Sequence, residues 1–127
     1  MNSKRNISIV GGAGHVGFPL GLMLSSKGYK VSLIDKHVKN MNKINNGEIP
    51  FLEEKSEKLL KGMIKQKRIR ATNKLNEIVN SKYVIICIGT PINDRLNPNL
   101  KNFINFFYQL RKFLKKNQIV IIRSSIY

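Results

Sequence analysis

Apolar and polar positions along this chain repeat with two different periods, and the switches between the periods mark out its elements. Ile7 to Val10 is a short apolar run that halts at Gly11 and Gly12, as a buried strand ending in a tight turn would. From His15 the residues Val16, Leu20, Met23 and Leu24 recur at helical spacing as far as Gly28, a natural C-cap. Pro19 falls in the first turn of that helix, where its missing N–H is harmless. Lys30 to Asp35 returns to alternation, with Val31, Leu33 and Ile34 as the buried content of a second strand. A short helical stretch follows and breaks at Asn45-Asn46-Gly47; beyond Pro50, Leu59, Leu60, Met63 and Ile64 form the inward face of another helix. Arg68 to Thr72 reads as a strand, Asn73 to Asn80 as a short helix carrying Leu75, Ile78 and Val79, and Tyr83 to Ile88 as a strand apolar at every position. Phe103, Phe107, Leu110 and Leu114 step along one helix face opposite Arg111, Lys112, Lys115 and Lys116, before a last strand at Gln118 to Ile122.

Strands that alternate with helices predict an α/β fold. Each crossover must lay a helix on one face, so the expected architecture is a Rossmann-type, doubly wound parallel sheet with helices on both faces. A length of 127 residues fits a single domain, taken as residues 1–127. One cysteine, Cys87, leaves no internal disulfide and no multi-cysteine metal site, and a reducing cytoplasm is expected. Cys87 lies inside an apolar strand, where a thiol is a small core residue and not an activated nucleophile. No run is long enough for a membrane span, and no metal is expected.

Charge complicates this picture, because 23 Lys and Arg against 7 Asp and Glu give a formal +16, a balance that raises the question of a polyanionic partner. The lysines are spread over Lys36, Lys39, Lys43, Lys61, Lys65, Lys67 and Lys115, with no clustered aromatic platform for base stacking. Solvated helix faces account for most of them, and no specific nucleic-acid partner is expected.

The chemistry is concentrated between the first strand and the first helix, where Gly12-Ala13-Gly14-His15-Val16-Gly17 forms a full GxGxxG. In such a loop the first glycine permits the tight turn, the second clears the approach of a pyrophosphate, and the third lets helix and strand pack closely. Backbone N–H groups and the helix dipole then face the phosphates. Asp35 ends the second strand eighteen residues after Gly17, where a carboxylate accepts hydrogen bonds from an adenosine ribose and repels a 2′-phosphate. NAD is therefore the expected cofactor, with Lys36 leaving some tolerance for NADP. His15 reads as loop packing or a weak phosphate contact, and His37 as a surface residue near the adenine edge.

Together, ISIVGGAGHVGFPLG, the Asp35 strand end, NNGEIPFLEE, ICIGTP and the terminal RSSIY resemble the UDP-glucose/GDP-mannose dehydrogenase family over essentially the whole chain. The resemblance implies oxidation of the C6 hydroxyl of a UDP-sugar to a carboxylate in two NAD-dependent steps, in a cytoplasmic homodimer serving surface polysaccharide synthesis. It implies that the backbone from Gly14 to Gly17 holds the pyrophosphate, that Asp35 holds the ribose, and that Gly89, Thr90 and Pro91 line the nicotinamide side. Ser124 and Ser125 match the family's Ser-Thr pair, Ser125 standing for the threonine that helps position the reacting groups. Asn40 occupies a place where the family often has a basic residue, which Lys36 or Lys39 would replace, and Lys55 stands where glycine is frequent. Tyr127 points toward the N-acetylhexosamine branch. The family's nucleophilic cysteine and catalytic lysine belong to a central helical region and a second nucleotide-binding domain beyond residue 127, so the chain is expected to be a truncated NAD-binding domain, inactive alone.

Two other readings stay open at this level. Gly11, Gly14 and Gly17 also satisfy the GxxGxxG loop of short-chain nucleotide-sugar epimerases and dehydratases, although that class needs a Tyr-x-x-x-Lys pair and Gly89-Thr90-Pro91 is atypical of it. A non-catalytic NAD-binding module would carry the same loop.

Overall fold

The computed structural model describes residues 5–50, 56–88 and 100–123. Five strands, β1 (Asn6–Val10), β2 (Lys30–Ile34), β3 (Ile69–Thr72), β4 (Tyr83–Ile86) and β5 (Ile119–Ile122), form one sheet in the order β3-β2-β1-β4-β5. All four pairings are parallel. The helices are α1 (Gly17–Ser26), α2 (Val38–Asn45), α3 (Glu57–Lys65) and α4 (Leu100–Arg111), with a 3₁₀ segment at Leu75–Asn80.

Strand alternation sorts the side chains into two cores, one on each face of the sheet. Ile7, Ile9, Val31, Leu33, Ile69 and Ile85 meet Phe18 and Leu22 of α1, Met41 and Ile44 of α2, and Leu60 and Met63 of α3. Val10, Ile34, Val84 and Ile86 point the other way, onto Ile78 of the 3₁₀ segment and Leu110 of α4. The doubly wound expectation is therefore met. The chain runs from the centre to one edge, then returns to place β4 on the other side of β1. That reversal opens a crevice beyond the carboxyl ends of β1 and β4, the place where ligands settle in sheets of this type.

Three local outcomes differ from the sequence expectation. Residues Leu75–Asn80 form a 3₁₀ segment and not an α-helix; six residues between two strands leave room for little more than the tighter winding. The regular pairing of β4 stops at Ile86, although the Cys87 amide still donates to the Val10 carbonyl (2.7 Å). The all-apolar strand β5 lies at the sheet edge, with Ile119, Val120, Ile121 and Ile122 between 39% and 52% exposed, where its composition predicts cover on both faces.

Candidate functional site

The glycine loop sits at the carboxyl end of β1 and is tied to both neighbouring strands. The Gly11 and Gly12 amides donate to the Ile34 carbonyl at the end of β2 (2.7 and 3.2 Å). On the other side a Cβ added to Gly11, whose φ is +83°, would lie 2.7 Å from the Cys87 carbonyl oxygen after β4. The loop is thus wedged across the crevice.

Its glycines serve different ends. A Cβ on Gly12 would lie 2.7 Å from Leu33 Cβ and 2.9 Å from the Ile9 carbonyl oxygen, and one on Gly17 would lie 2.4 Å from the Gly11 carbonyl oxygen. Both positions are closed by the protein itself. At Gly14 the nearest atom, the Gly11 carbonyl oxygen, is 3.5 Å away, an ordinary contact. The fold does not need glycine there, so the bare backbone at position 14 serves whatever lies against the loop from outside.

Asp35 completes the crevice one residue beyond β2. Its Oδ2 accepts from the Ala13 amide and its Oδ1 from the His37 amide, both at 3.0 Å. Each carboxylate oxygen keeps a second lone pair for another donor. Asn40, on α2, donates through Nδ2 to the Ala13 carbonyl at 3.5 Å. Ala13, 1% exposed, is therefore the joint between loop, acid and helix. No sequence signal marks it, because it acts only through its backbone.

The opening of α1 is arranged for an anion. Val16, at the N-cap, offers no side-chain cap, and the first turn holds no acidic residue. Among the described residues, neither the Val16 nor the Gly17 amide has a hydrogen-bond partner. Donors left over at a helix start, with the positive end of the dipole behind them, favour phosphate.

Of the residues singled out by sequence, Gly12, Gly14, Gly17, Asp35 and Asn40 converge around Ala13, while His15, Val16 and Lys36 stand exposed at the rim. Gly89, Thr90, Pro91, Ser124 and Ser125 lie outside the described residues. Cys87 is partly buried and packs against the core. Burial pushes its thiol up from the ordinary value while Arg123 pulls it back, so the sulfur stays protonated and is no nucleophile.

Tyr108 and Lys112 have the four-residue spacing that an epimerase-type pair would need. They stand at and just past the carboxyl end of α4, which leads into the start of β5, at the amino end of the sheet and away from the glycine loop. Tyr108 is 60% exposed and lies beneath the Arg111 guanidinium. That geometry removes the support for a short-chain epimerase.

Residues 5–127 match the UDP-glucose/GDP-mannose dehydrogenase family, NAD binding domain. The chain is 26% identical over 122 residues to UDP-glucose 6-dehydrogenase of Rickettsia felis, an alignment covering 95% of this chain and 27% of that protein. It is 27% identical over 115 residues to UDP-N-acetyl-D-mannosamine dehydrogenase of Pyrococcus horikoshii, covering 91% of this chain and 27% of that protein. Among solved structures, a ternary complex of GDP-mannose dehydrogenase from Pseudomonas aeruginosa superposes with a TM-score of 0.83 at 26% identity, over 94% of this chain and 28% of that one. The chain thus spans little more than a quarter of the length of these relatives.

Proposed function

Since the chain belongs to the UDP-glucose/GDP-mannose dehydrogenase family as its NAD-binding domain, we propose that it supplies the coenzyme half of an enzyme that oxidises the C6 hydroxyl of a UDP-sugar to a carboxylate. The observation that carries this reading is Gly14, bare where the fold would accept a side chain, beside an uncapped helix start. A diphosphate fits that combination, because it needs close backbone approach and unpaired donors together.

In this reading the loop from Gly12 to Gly17 holds the diphosphate of NAD and the Asp35 carboxylate accepts from the adenosine ribose. Asp35 is held for that task by the Ala13 and His37 amides, and Asn40 steadies Ala13 from the other side. The carboxylate disfavours a 2′-phosphate, which supports the choice of NAD over NADP. NAD, when bound, accepts a hydride from the sugar carbon. Oxidation of an alcohol to an acid removes two hydrides and adds one water oxygen, so the second oxidation needs a group that captures the aldehyde, and Cys87 is unsuited to it. We assign that capture to a partner region of the kind the longer relatives have room for, and expect these 127 residues alone to bind coenzyme without turnover. Gly89, Thr90 and Pro91 on the nicotinamide side, with Ser124 and Ser125 near the reacting groups, complete the proposal. The names of the relatives favour a UDP-sugar, and a cytoplasmic homodimer making precursors for surface polysaccharide is the physiological setting we propose.

The direct test is titration of the chain with NADH and NADPH, followed by fluorescence. Saturable binding that prefers NADH and collapses in Asp35→Ala is expected. Equal affinity for the two coenzymes, or an Asp35→Ala variant that binds as the parent does, would refute the assignment.

A further inference from the structure

A second concavity opens at the amino ends of the strands, away from the glycine loop, and nothing in the dehydrogenase reading uses it. It is a cleft of about 750 Å³, formed where β1, β2 and β3 run past the 3₁₀ segment and the turn that leads into β5. Its lining brings together Lys30, Arg70, Lys82, Lys115 and Lys116 with a single acid, Glu77, whose carboxylate is paired with Arg70. Among the described residues Lys30, Lys115 and Lys116 make no ion pair. Cations converging on a cleft without counter-charge repel one another, and a bound anion relieves that repulsion.

This is a built feature and not a loose field of lysines. The turn carrying Lys115 and Lys116 is pinned from three sides. Gln118 Nε2 donates to the Ile78 and Ser81 carbonyls (2.6 and 2.7 Å), Gln118 Oε1 accepts from the Lys115 amide (2.7 Å), and Lys82 Nζ donates to the Asn117 carbonyl (2.5 Å). Asn117 holds the left-handed conformation, φ +74°, that closes the turn. A rim fixed before the ligand arrives loses little freedom on binding. Ser32 and Asn80 add hydrogen-bonding groups to the lining, and no aromatic residue stands among the described lining. Base stacking therefore has no platform, which argues against a nucleic-acid strand. The volume is that of a small-molecule site.

We infer that this cleft is a second ligand site, selective for a small anion carrying two or more phosphate groups. The six residues from Asn6, at the cleft, to Gly11, in the glycine loop, span roughly 16 Å of extended strand, so the two sites can be filled together. The inference does not rest on the coenzyme reading, because the two sites share no residue.

The test is calorimetric titration of the 127-residue chain with inorganic triphosphate at near-physiological salt, with and without saturating NADH. One saturable site per chain is expected to remain when saturating NADH fills the glycine loop. Lys115→Ala with Lys116→Ala should weaken it by at least about tenfold, since each lysine gives a charge-assisted hydrogen bond. A pair of the same charge on α3, Lys58→Ala with Lys65→Ala, should change it by less than about twofold. Glu77→Gln should tighten binding by freeing Arg70. The inference is overturned by absence of saturable binding, by displacement with NADH, by equal weakening in the two lysine pairs, or by an RNA strand binding the cleft more tightly than triphosphate. A melting curve for each variant shows that the fold is intact, and every substituted lysine is exposed.

Discussion

Gly14→Ala separates the demands of the fold from those of the ligand. Gly14 does not have positive φ, so alanine can take its backbone conformation, and the added Cβ meets nothing nearer than 3.5 Å. Replacing glycine at such a position stabilises a chain by about 0.4–1 kcal/mol through the unfolded state. A rise in Tm of roughly 2–5 °C is expected by scanning calorimetry or circular dichroism. The same methyl stands where the diphosphate should approach, and pushing the phosphates back by the width of a methyl costs at least one charge-assisted hydrogen bond, about 1.5–3 kcal/mol. NADH affinity should therefore fall by roughly 10- to 150-fold in a protein that has become more stable. Gly17→Ala gives the contrast: its Cβ would come to 2.4 Å from the Gly11 carbonyl oxygen and 2.9 Å from Gly12 Cα. Backbone must move there, at about 1–3 kcal/mol of destabilisation, and Tm should drop. If Gly14→Ala lowered Tm as Gly17→Ala does, or kept full NADH affinity with the fold intact, the division of labour among the glycines would be wrong.

Other consequences are open to measurement. Asp35→Asn keeps an acceptor but removes the charge, so the affinity of NADPH relative to NADH should rise by about tenfold or more, and an unchanged ratio would show that charge does not set the preference. Asn45 holds Ala71 on edge strand β3 by donating to its carbonyl (2.9 Å) and accepting from its amide (2.8 Å); Asn45→Ala should cost about 1–2 kcal/mol and speed amide exchange at Ala71. Ser8 and Ser81 share a buried hydroxyl contact of 2.6 Å, so Ser81→Ala should cost about 1–3 kcal/mol by stranding the other hydroxyl, and the double alanine variant should cost less than the two single changes combined. The Cys87 thiol, raised chiefly by burial, should react with a disulfide reagent at mildly alkaline pH more slowly than in the urea-unfolded chain, and more slowly still in Arg123→Ala. Because the folded chain holds this proton more tightly than the unfolded one, the associated stability is present below the ordinary thiol value and is lost as pH rises through the raised one.

What could be read from the sequence was whatever repeats along a single segment. The apolar run of Ile7–Val10, the alternation in Lys30–Ile34, the three- and four-residue steps of α4, and the glycine spacing are local patterns, and the sheet and crevice follow from them by the packing of parallel strands. Features assembled from distant segments left no such trace. Ala13 is a small apolar residue in sequence and a two-sided hydrogen-bond joint in space. Asn45 sits in what reads as a helix-breaking Asn-Asn-Gly, yet its amide works as a surrogate strand for β3. The charged cleft draws its lysines from the starts of β2 and β4 and the turn before β5; along the chain those residues are separate points on solvated surfaces, and only the sheet makes them neighbours.

The carboxylate of Asp35 illustrates how the loop and the acid depend on each other. It accepts from the Ala13 amide inside the GxGxxG loop, so the acid that would hold the ribose also fixes the loop that would hold the diphosphate. It follows that Asp35 substitutions should act on both halves of the coenzyme. Asp35→Ala should weaken binding of a ligand that has the diphosphate but no adenosine ribose, such as nicotinamide ribose diphosphate, as well as NADH itself. A variant that lost NADH affinity while keeping full affinity for the shortened ligand would show that the acid touches the ribose alone, and that the Ala13 contact is incidental to the loop.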